Sequence, residues 1–311
     1  MGRSVKVRVP GTSANCGPGF DAIGVACTIY NELELTLLEE ERLEILVEGE
    51  GAENIPLTSR NMVWRAIQLL LKRAHRAREY PGAVIHMVNH IPLSRGLGSS
   101  AAAIVAGLKA ANVLLENPFR RRELLQFATE IEGHPDNVAP ALFGGFTVSL
   151  LQQRRAESFS FLPRIPLKLV VAIPSFHLST RLARNALPET VPLVDAVFNV
   201  SRAALLVGAL LKGNPRFLRH AFDDALHQPY RAKLIPGMYE VMEAAKKAGA
   251  LGAAMSGAGP CLMAYTLGEE AAVGDAMVRA FRTHDIEARC LILDIDRRGA
   301  HMVKEETAHL R

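Results

Sequence analysis

Residues Pro92-Leu93-Ser94-Arg95-Gly96-Leu97-Gly98-Ser99-Ser100-Ala101-Ala102 have the composition of an anion site. An apolar, β-branched run from Ala83 to Val88 leads in and an Ala-rich run to Leu115 leads out, which reads as strand, glycine loop, helix. Gly96 and Gly98 remove Cβ atoms from the path of a ligand that backbone must approach closely. The first N–H groups of the following helix have no intrahelical partner, and the helix dipole adds roughly half a positive charge there. Ser99 or Ser100 can cap that helix or donate to a phosphate oxygen. A Walker A loop would need Lys before Ser or Thr, and none is present. The stretch also satisfies Gly-x-Gly-x-x-Ala, with Glu116 where the ribose-binding acid of a dinucleotide site would sit. Such a loop normally follows the first strand of its domain, whereas several strand-like runs precede this one. A glycine turn that only caps a helix is the third reading.

A second concentration of reactive groups lies in Glu132-Gly133-His134-Pro135-Asp136-Asn137-Val138-Ala139-Pro140. Polar side chains packed this densely between apolar stretches are expensive to bury without a purpose, although Asp136 could serve only to cap the next helix. Upstream, the stretch from Pro10 to Asp21 is too rich in Gly and Pro for regular structure and reads as an ordered loop presenting Asn15 and Asp21. Downstream, Thr180 and Arg184 share a face if their segment is helical, with Arg181 on another. Arg231 closes the run His227-Gln228-Pro229-Tyr230-Arg231, and the stretch from Gly252 to Ala264, leading from a helix into a strand, carries a second glycine-rich loop around Gly257.

Residues 92–101 contain every element of Pro-x-x-x-Gly-Leu-Gly-Ser-Ser-Ala, and the chain resembles the GHMP kinases in this loop. Glu-Gly-His-Pro-Asp-Asn-Val-Ala-Pro-Ala with Gly144-Gly145 after it, Ser-Thr-x-x-Ala-Arg at 179–184, the run ending at Arg231 and the Asn15–Asp21 loop narrow the likeness to the homoserine kinases. These motifs run in order from near residue 9 to 264, so the resemblance covers almost the whole chain. It implies a two-layer α+β fold. The N-terminal nucleotide half, 1–162, would contain a left-handed βαβ crossover, and a ferredoxin-like C-terminal half, 163–303, would close the substrate cleft. The boundary is expected near Pro163 and Pro166, with a polar tail at 304–311.

The resemblance also implies ATP and Mg²⁺ as cofactors and L-homoserine as the acceptor. The loop 92–102 would wrap the nucleotide phosphates, with Asn61 and Val63 by the adenine. Glu132 and Ser99 would hold the metal, with Glu130 as the alternative to Glu132. Asn15, Asp21, His134, Arg184, Arg231 and Gly257 would grip the amino acid, Asp21 taking the α-ammonium and the two arginines forking onto the carboxylate. His134, Asn137 and Thr180 would stand at the transferring phosphate. Other GHMP kinases place an Asp near the position of Asn137, and an amide cannot take a proton. The reading adopted is therefore direct attack by a positioned hydroxyl, with Asp136 as the competing base. A sister kinase acting on mevalonate, a diphosphocytidyl polyol or shikimate is the nearest alternative, and Asp21 with the two arginines speaks for a zwitterion instead. An NAD-linked oxidoreductase and a non-catalytic nucleotide sensor are the alternatives from other classes.

The elements that must hold these groups are read from periodicity. Val5 to Val9 alternates as a half-buried strand; Glu32 to Leu38 and Leu43 to Val47 read as antiparallel strands. Helices are expected from Arg60 to Ala74, over 101–115 (apolar nearly all round, hence buried), over Glu123–Glu130, Ala196–Leu211 and Arg216–Leu226. Leu167 to Ile173 reads as a buried strand and Ala288 to Ile295 as the last one. A net charge of +4 from 36 basic and 32 acidic residues is too small to argue for nucleic acid. With no targeting segment and no run of spanning length, a soluble, cytoplasmic protein without a membrane partner is expected. Cys16, Cys27, Cys261 and Cys290 lack metal spacing and fit reduced thiols. A homodimer is expected from family habit alone.

Overall fold

The computed structural model describes residues 3–303, so the expected tail at 304–311 lies outside the described residues. The first half runs β1 (Ser4–Ala14), β2 (Ile23–Leu38), β3 (Leu43–Gly49), α1 (Met62–Arg73), β4 (Gly82–Asn89), α2 (Ser99–Leu114), α3 (Arg121–Glu132), α4 (Pro135–Phe143), β5 (Phe146–Gln152) and β6 (Arg155–Phe161). Then follow β7 (Lys168–Pro174), α5 (Thr180–Asn185), α6 (Leu193–Lys212), α7 (Pro215–Leu218), α8 (Gln228–Arg231), α9 (Met238–Lys247), β8 (Gly252–Met255), β9 (Leu262–Thr266), α10 (Glu270–Arg282), β10 (Ala288–Leu293) and β11 (His301–Met302).

A seven-stranded sheet has the order β11-β1-β2-β4-β3, with β5 on the start of β2 and β6 on β5. Only β3 and β4 run parallel, joined through α1. Because the glycine loop follows the fourth strand of a mainly antiparallel sheet, the dinucleotide-fold reading falls. The second sheet is antiparallel, ordered β10-β7-β9-β8, with α9 and α10 packed on it; this is the ferredoxin-like arrangement. The architecture is thus the two-layer α+β one. Helix α2 packs on β1 and β2 and against α1, α3 and α4, and is buried from Ala101 to Val113 apart from Ala103 and Lys109. Its N-terminus, and with it the glycine loop, is therefore fixed at the centre of the molecule. Strand β7 is buried from Leu169 to Pro174, each large apolar side chain contributing roughly 1.5–3 kcal/mol.

Several expectations change in three dimensions. Strand β1 continues to Ala14, because an irregularity at Pro10/Gly11 keeps it paired with β2, and the Gly/Pro-rich loop shrinks to 15–22. Strands β2 and β3 run in opposite directions but do not pair, since β4 lies between them. Of the helix expected over 216–226 only one turn, α7, forms, and 252–264 is the β8–β9 hairpin. Beyond β10 the chain returns to the first sheet: Ile295 bridges Cys27 and β11 pairs β1. Residues 295–302 thus sit with the N-terminal half, which a division at 163 assigns to the other. Helix α6 starts earlier than expected and is long and apolar enough to cross a membrane by length and composition.

Candidate active site

Motifs from both halves converge on a cavity of about 280 Å³. Asn15, Asp21, His134, Asn137, Thr180, Arg184, Arg231 and Gly257 all border it, as do Glu132 and the loop from Leu93 to Ser100. In that loop Gly96 (φ 82°) and Gly98 (φ 68°) adopt the left-handed conformation. A Cβ on Gly98 would lie 1.9 Å from Thr12 Oγ1, and one on Gly96 would lie 2.1 Å from the Ser256 carbonyl oxygen. Both positions need glycine for conformation and for space. No side chain caps α2, so neither serine plays that role and the first N–H groups remain open to an anion.

The remaining loop residues divide the work. Leu97, Ala101 and Ala102 are fully buried and anchor the loop in the core. Arg95 borders the cavity, but its guanidinium is engaged by protein carbonyls. Its guanidinium donates to the carbonyls of Pro174, Ser175 and Phe176 and so ties the loop to the segment entering α5. Pro92 lines a second cavity of about 430 Å³, which shares Leu93 and Arg95 with the first. Asn61 and Val63 border neither cavity. Asn61 is instead the N-cap of α1, its Oδ1 accepting from Val63 N–H at 2.9 Å while Nδ2 donates to Pro56 O at 2.8 Å.

On the substrate side, the loop 15–22 is held by its own asparagine. Asn15 Nδ2 donates to Gly257 O (2.9 Å) and Oδ1 accepts from Asp21 N–H (3.0 Å). Asp21 and Arg184 form a bidentate pair at 2.8 and 3.1 Å. Arg231 is 2 % exposed, and its Nε donates to Ala183 O at 3.0 Å. Burial and then the nearby Arg184 charge push the Arg231 guanidinium down to about 10. Both guanidiniums lie against the Phe20 ring, at 5.8 and 5.2 Å from its centre. Arg181 is exposed and away from this group.

Helix α3 ends in left-handed Gly133, and Pro135 starts α4 with a preset φ. This tight junction presents Glu132, His134 and Asn137 together. Asp136 is not the helix cap; it is buried and accepts from His134 Nδ1 at 2.5 Å, which leaves Nε2 for a ligand. Burial alone would lower the His134 imidazole, but the Asp136 hydrogen bond and charge outweigh it and raise it. The resulting stabilisation is fully present below about pH 6.5, the unperturbed value, and fades as pH rises through the raised one. Asp136→Asn should therefore lower Tm more near about pH 5.5 than near about pH 8.5, which thermal melts at the two pH values check.

Asn137 Oδ1 accepts from Thr12 Oγ1 at 2.8 Å. Glu132 accepts from Ser100 Oγ at 3.0 Å, so the serine beside it is Ser100 rather than Ser99, and burial raises its carboxyl. Glu130 is exposed and paired with Arg73 at 2.7 Å, outside the cavity. The β8–β9 hairpin closes the site: Ser256 Oγ donates to Gly96 O (2.6 Å) and lies 2.9 Å from Ser13 Oγ, and Cys261 N–H donates to Arg95 O (3.2 Å). Thr12, Ser13, Phe20 and Ser256 are thus parts of the site that were not among the candidate residues, although all four lie inside the motif-bearing stretches 10–21 and 252–264.

A model of the GHMP kinases N terminal domain matches residues 61–145, and one of the GHMP kinases C terminal region matches residues 203–283. Fold, loop and matches define the class: the GHMP kinases. The homoserine kinase of Carboxydothermus hydrogenoformans is 46% identical over 95% of this chain and 96% of its own, and that of Moorella thermoacetica is 42% identical over 93% and 96%. The crystal structure of homoserine kinase from Cytophaga hutchinsonii superposes with a TM-score of 0.89 at 31% identity, covering 97% of this chain and 98% of that one. The chain belongs to the homoserine kinase family. The mevalonate kinase of L. major, at 18% identity and a TM-score of 0.70, shares the fold alone.

Proposed function

We propose that this chain transfers the γ-phosphoryl group of ATP to the side-chain hydroxyl of L-homoserine, yielding O-phospho-L-homoserine and ADP. The observation that carries the reading is Arg231, a buried guanidinium pushed down by its burial and by a second arginine, beside a carboxylate in the same cavity. Two close cations call for an anion, and Asp21 calls for a cation. An α-amino acid supplies both on one carbon, whereas mevalonate lacks the ammonium. The Asp21–Arg184 pair stands where the zwitterion would insert, exchanging one ion pair for two.

Phosphoryl transfer needs alignment and charge stabilisation more than covalent help. The open N–H groups of α2 would receive the phosphates, and His134 Nε2, Asn137 and Thr180 would orient the hydroxyl and the transferring group. Asn137, held by Thr12, is an amide and takes no proton, which supports direct attack. Asp136 positions His134. On this mechanism Asp136→Asn costs about 10- to 100-fold in kcat with homoserine KM little changed, whereas loss of a true base would reach about 10⁴-fold. Steady-state kinetics separate the two.

Glu132 fits a divalent cation, since its raised carboxyl has one hydroxyl partner and the neighbouring serines add hard oxygen donors. Glu132 with Ser99 or Ser100 would hold Mg²⁺, which when bound neutralises charge on the phosphate oxygens. Glu132→Gln should raise the Mg²⁺ concentration for half-maximal rate by at least about tenfold, read from a metal titration. A cytoplasmic location suits an enzyme of free metabolites with four unpaired cysteines. The function itself is tested by ADP release: rapid with ATP and homoserine, absent with mevalonate or without acceptor. Equal turnover with mevalonate, or ATP binding with no phosphorylated product, would reject it.

A further inference from the structure

His227 is fully buried at the start of α8 and takes no part in the chemistry described above. Its ring stacks on Phe20, with 5.1 Å between centres. Nε2 lies 2.8 Å from Gly17 O, and Nδ1 lies 3.4 Å from Arg231 Nη1. These two neighbours fix where the ring proton sits. A carbonyl oxygen only accepts, so Nε2 must carry a hydrogen; a guanidinium only donates, so Nδ1 must offer a lone pair. The ring is therefore neutral and protonated on Nε2. The buried Asp224 carboxylate does not compete for that proton. Its Oδ1 accepts from Asn199 Nδ2 and Leu226 N–H, and its Oδ2 from the N–H groups of His227 and Gln228. At 3.6 Å from Nε2, that Oδ2 is too far for a hydrogen bond. Burial pushes the imidazole down, and the Arg231 charge adds to this against the opposing charges of Asp224 and Asp21.

We infer that His227 is a positioning residue for homoserine: its lone pair fixes the Arg231 guanidinium and its proton fixes the loop that carries Asp21. The inference rests on the reading of Arg231 as a partner of the substrate carboxylate. Arg231 Nε donates to Ala183 O at 3.0 Å, and Nη1 donates to His227 Nδ1 and to Gly257 O, each at 3.4 Å. Among the described residues Nη2 has no protein partner, so it is the arm left for a ligand. Three acceptors from α5, the start of α8 and the β8–β9 turn thus set the plane of the guanidinium. Without the imidazole, Nη1 keeps only the long contact to Gly257 O, and the head group can turn on its stem. Through Gly17 the same ring holds the loop 15–22, in which Asp21 follows four residues later. Phe20 lies under both the imidazole and the guanidinium and keeps them in register. One neutral ring therefore sets the spacing between the group that meets the ammonium and the group that meets the carboxylate, so it governs affinity without touching the substrate.

Nitrogen-15 NMR of the unaltered chain at about pH 7 reads the ring directly and should show a neutral His227 protonated on Nε2. His227→Phe keeps the stack on Phe20 and loses both polar contacts. It should raise homoserine KM about tenfold while ATP KM moves less than about twofold. In an Arg231→Met background the same change should cost less than about twofold, because the group it acts through is gone. His227→Asn restores an acceptor near the position of Nδ1 but leaves a void, so its Tm should fall below that of His227→Phe while its homoserine KM stays within about threefold of the unaltered chain. A ring protonated on Nδ1 or on both nitrogens would overturn the inference. So would full additivity in the double variant, or homoserine KM values that follow Tm and make His227→Asn the weaker binder. A large effect of Arg231→Met with an additive His227→Phe strikes this inference alone, whereas a silent Arg231→Met strikes the carboxylate reading and this inference with it.

Discussion

Arg231→Met is expected to raise KM for homoserine by about 30- to 1,000-fold while KM for ATP stays within about twofold. The magnitude follows from burial. A guanidinium fully desolvated in the free protein forms a charge-assisted pair with a carboxylate without further desolvation, and removing it leaves the substrate anion in the same dry place with one partner fewer. Stability should move little. The substitution loses the hydrogen bond to Ala183 O, worth about 1 kcal/mol, and that to Gly257 O, but it also relieves the repulsion from Arg184 that helps push the guanidinium down. Arg231→Lys should not restore binding, because an ammonium cannot reach both carbonyls and fork onto a carboxylate. Kinetics with each substrate varied in turn, alongside thermal melts, decide the matter. Unchanged homoserine KM, or equal losses for both substrates with a large drop in Tm, would remove Arg231 from the binding role.

Gly98→Ala should lower kcat/KM for ATP by about 10²- to 10³-fold. Two costs combine: a non-glycine residue in the left-handed region loses about 1–2 kcal/mol, and the new methyl would sit 1.9 Å from Thr12 Oγ1. The loop must then shift by about an ångström, and a displacement of that size at a phosphoryl site costs about a hundredfold. Thr12 also holds Asn137, so the disturbance passes directly to the transferring group. The double variant Thr12→Ala/Gly98→Ala should recover part of the nucleotide affinity, since it removes the clash and leaves the backbone strain. Full activity in Gly98→Ala would mean that this loop does not wrap the triphosphate.

Much of this was legible in the chain itself wherever the physics is local. Glycines before a helix start, Pro135 two residues ahead of Asn137 in the first turn of α4, and the continuous apolar run of β7 each declare a conformation through residues a few positions apart. The all-round apolar character of α2 announced burial, because no polar face was left to meet water. The all-antiparallel second sheet and the meeting of the motifs in one cavity agree with what the resemblance implied.

Side-chain direction and non-local pairing were decided only by the tertiary structure. Asn61 was free on paper to meet a base, but folding spends its amide on capping α1. Arg95 sits among phosphate-loop residues, yet its nearest acceptors are carbonyls about eighty residues away. Strand β4 separates β2 from β3, and β11 returns to β1, because sheet register is set by long-range pairing that periodicity of two does not encode. Asp21 and Arg184, 163 residues apart, come together only when both halves have closed. Local sequence determined which chemistry was available; the packing of two sheets determined which of those groups share one solvent-poor cavity.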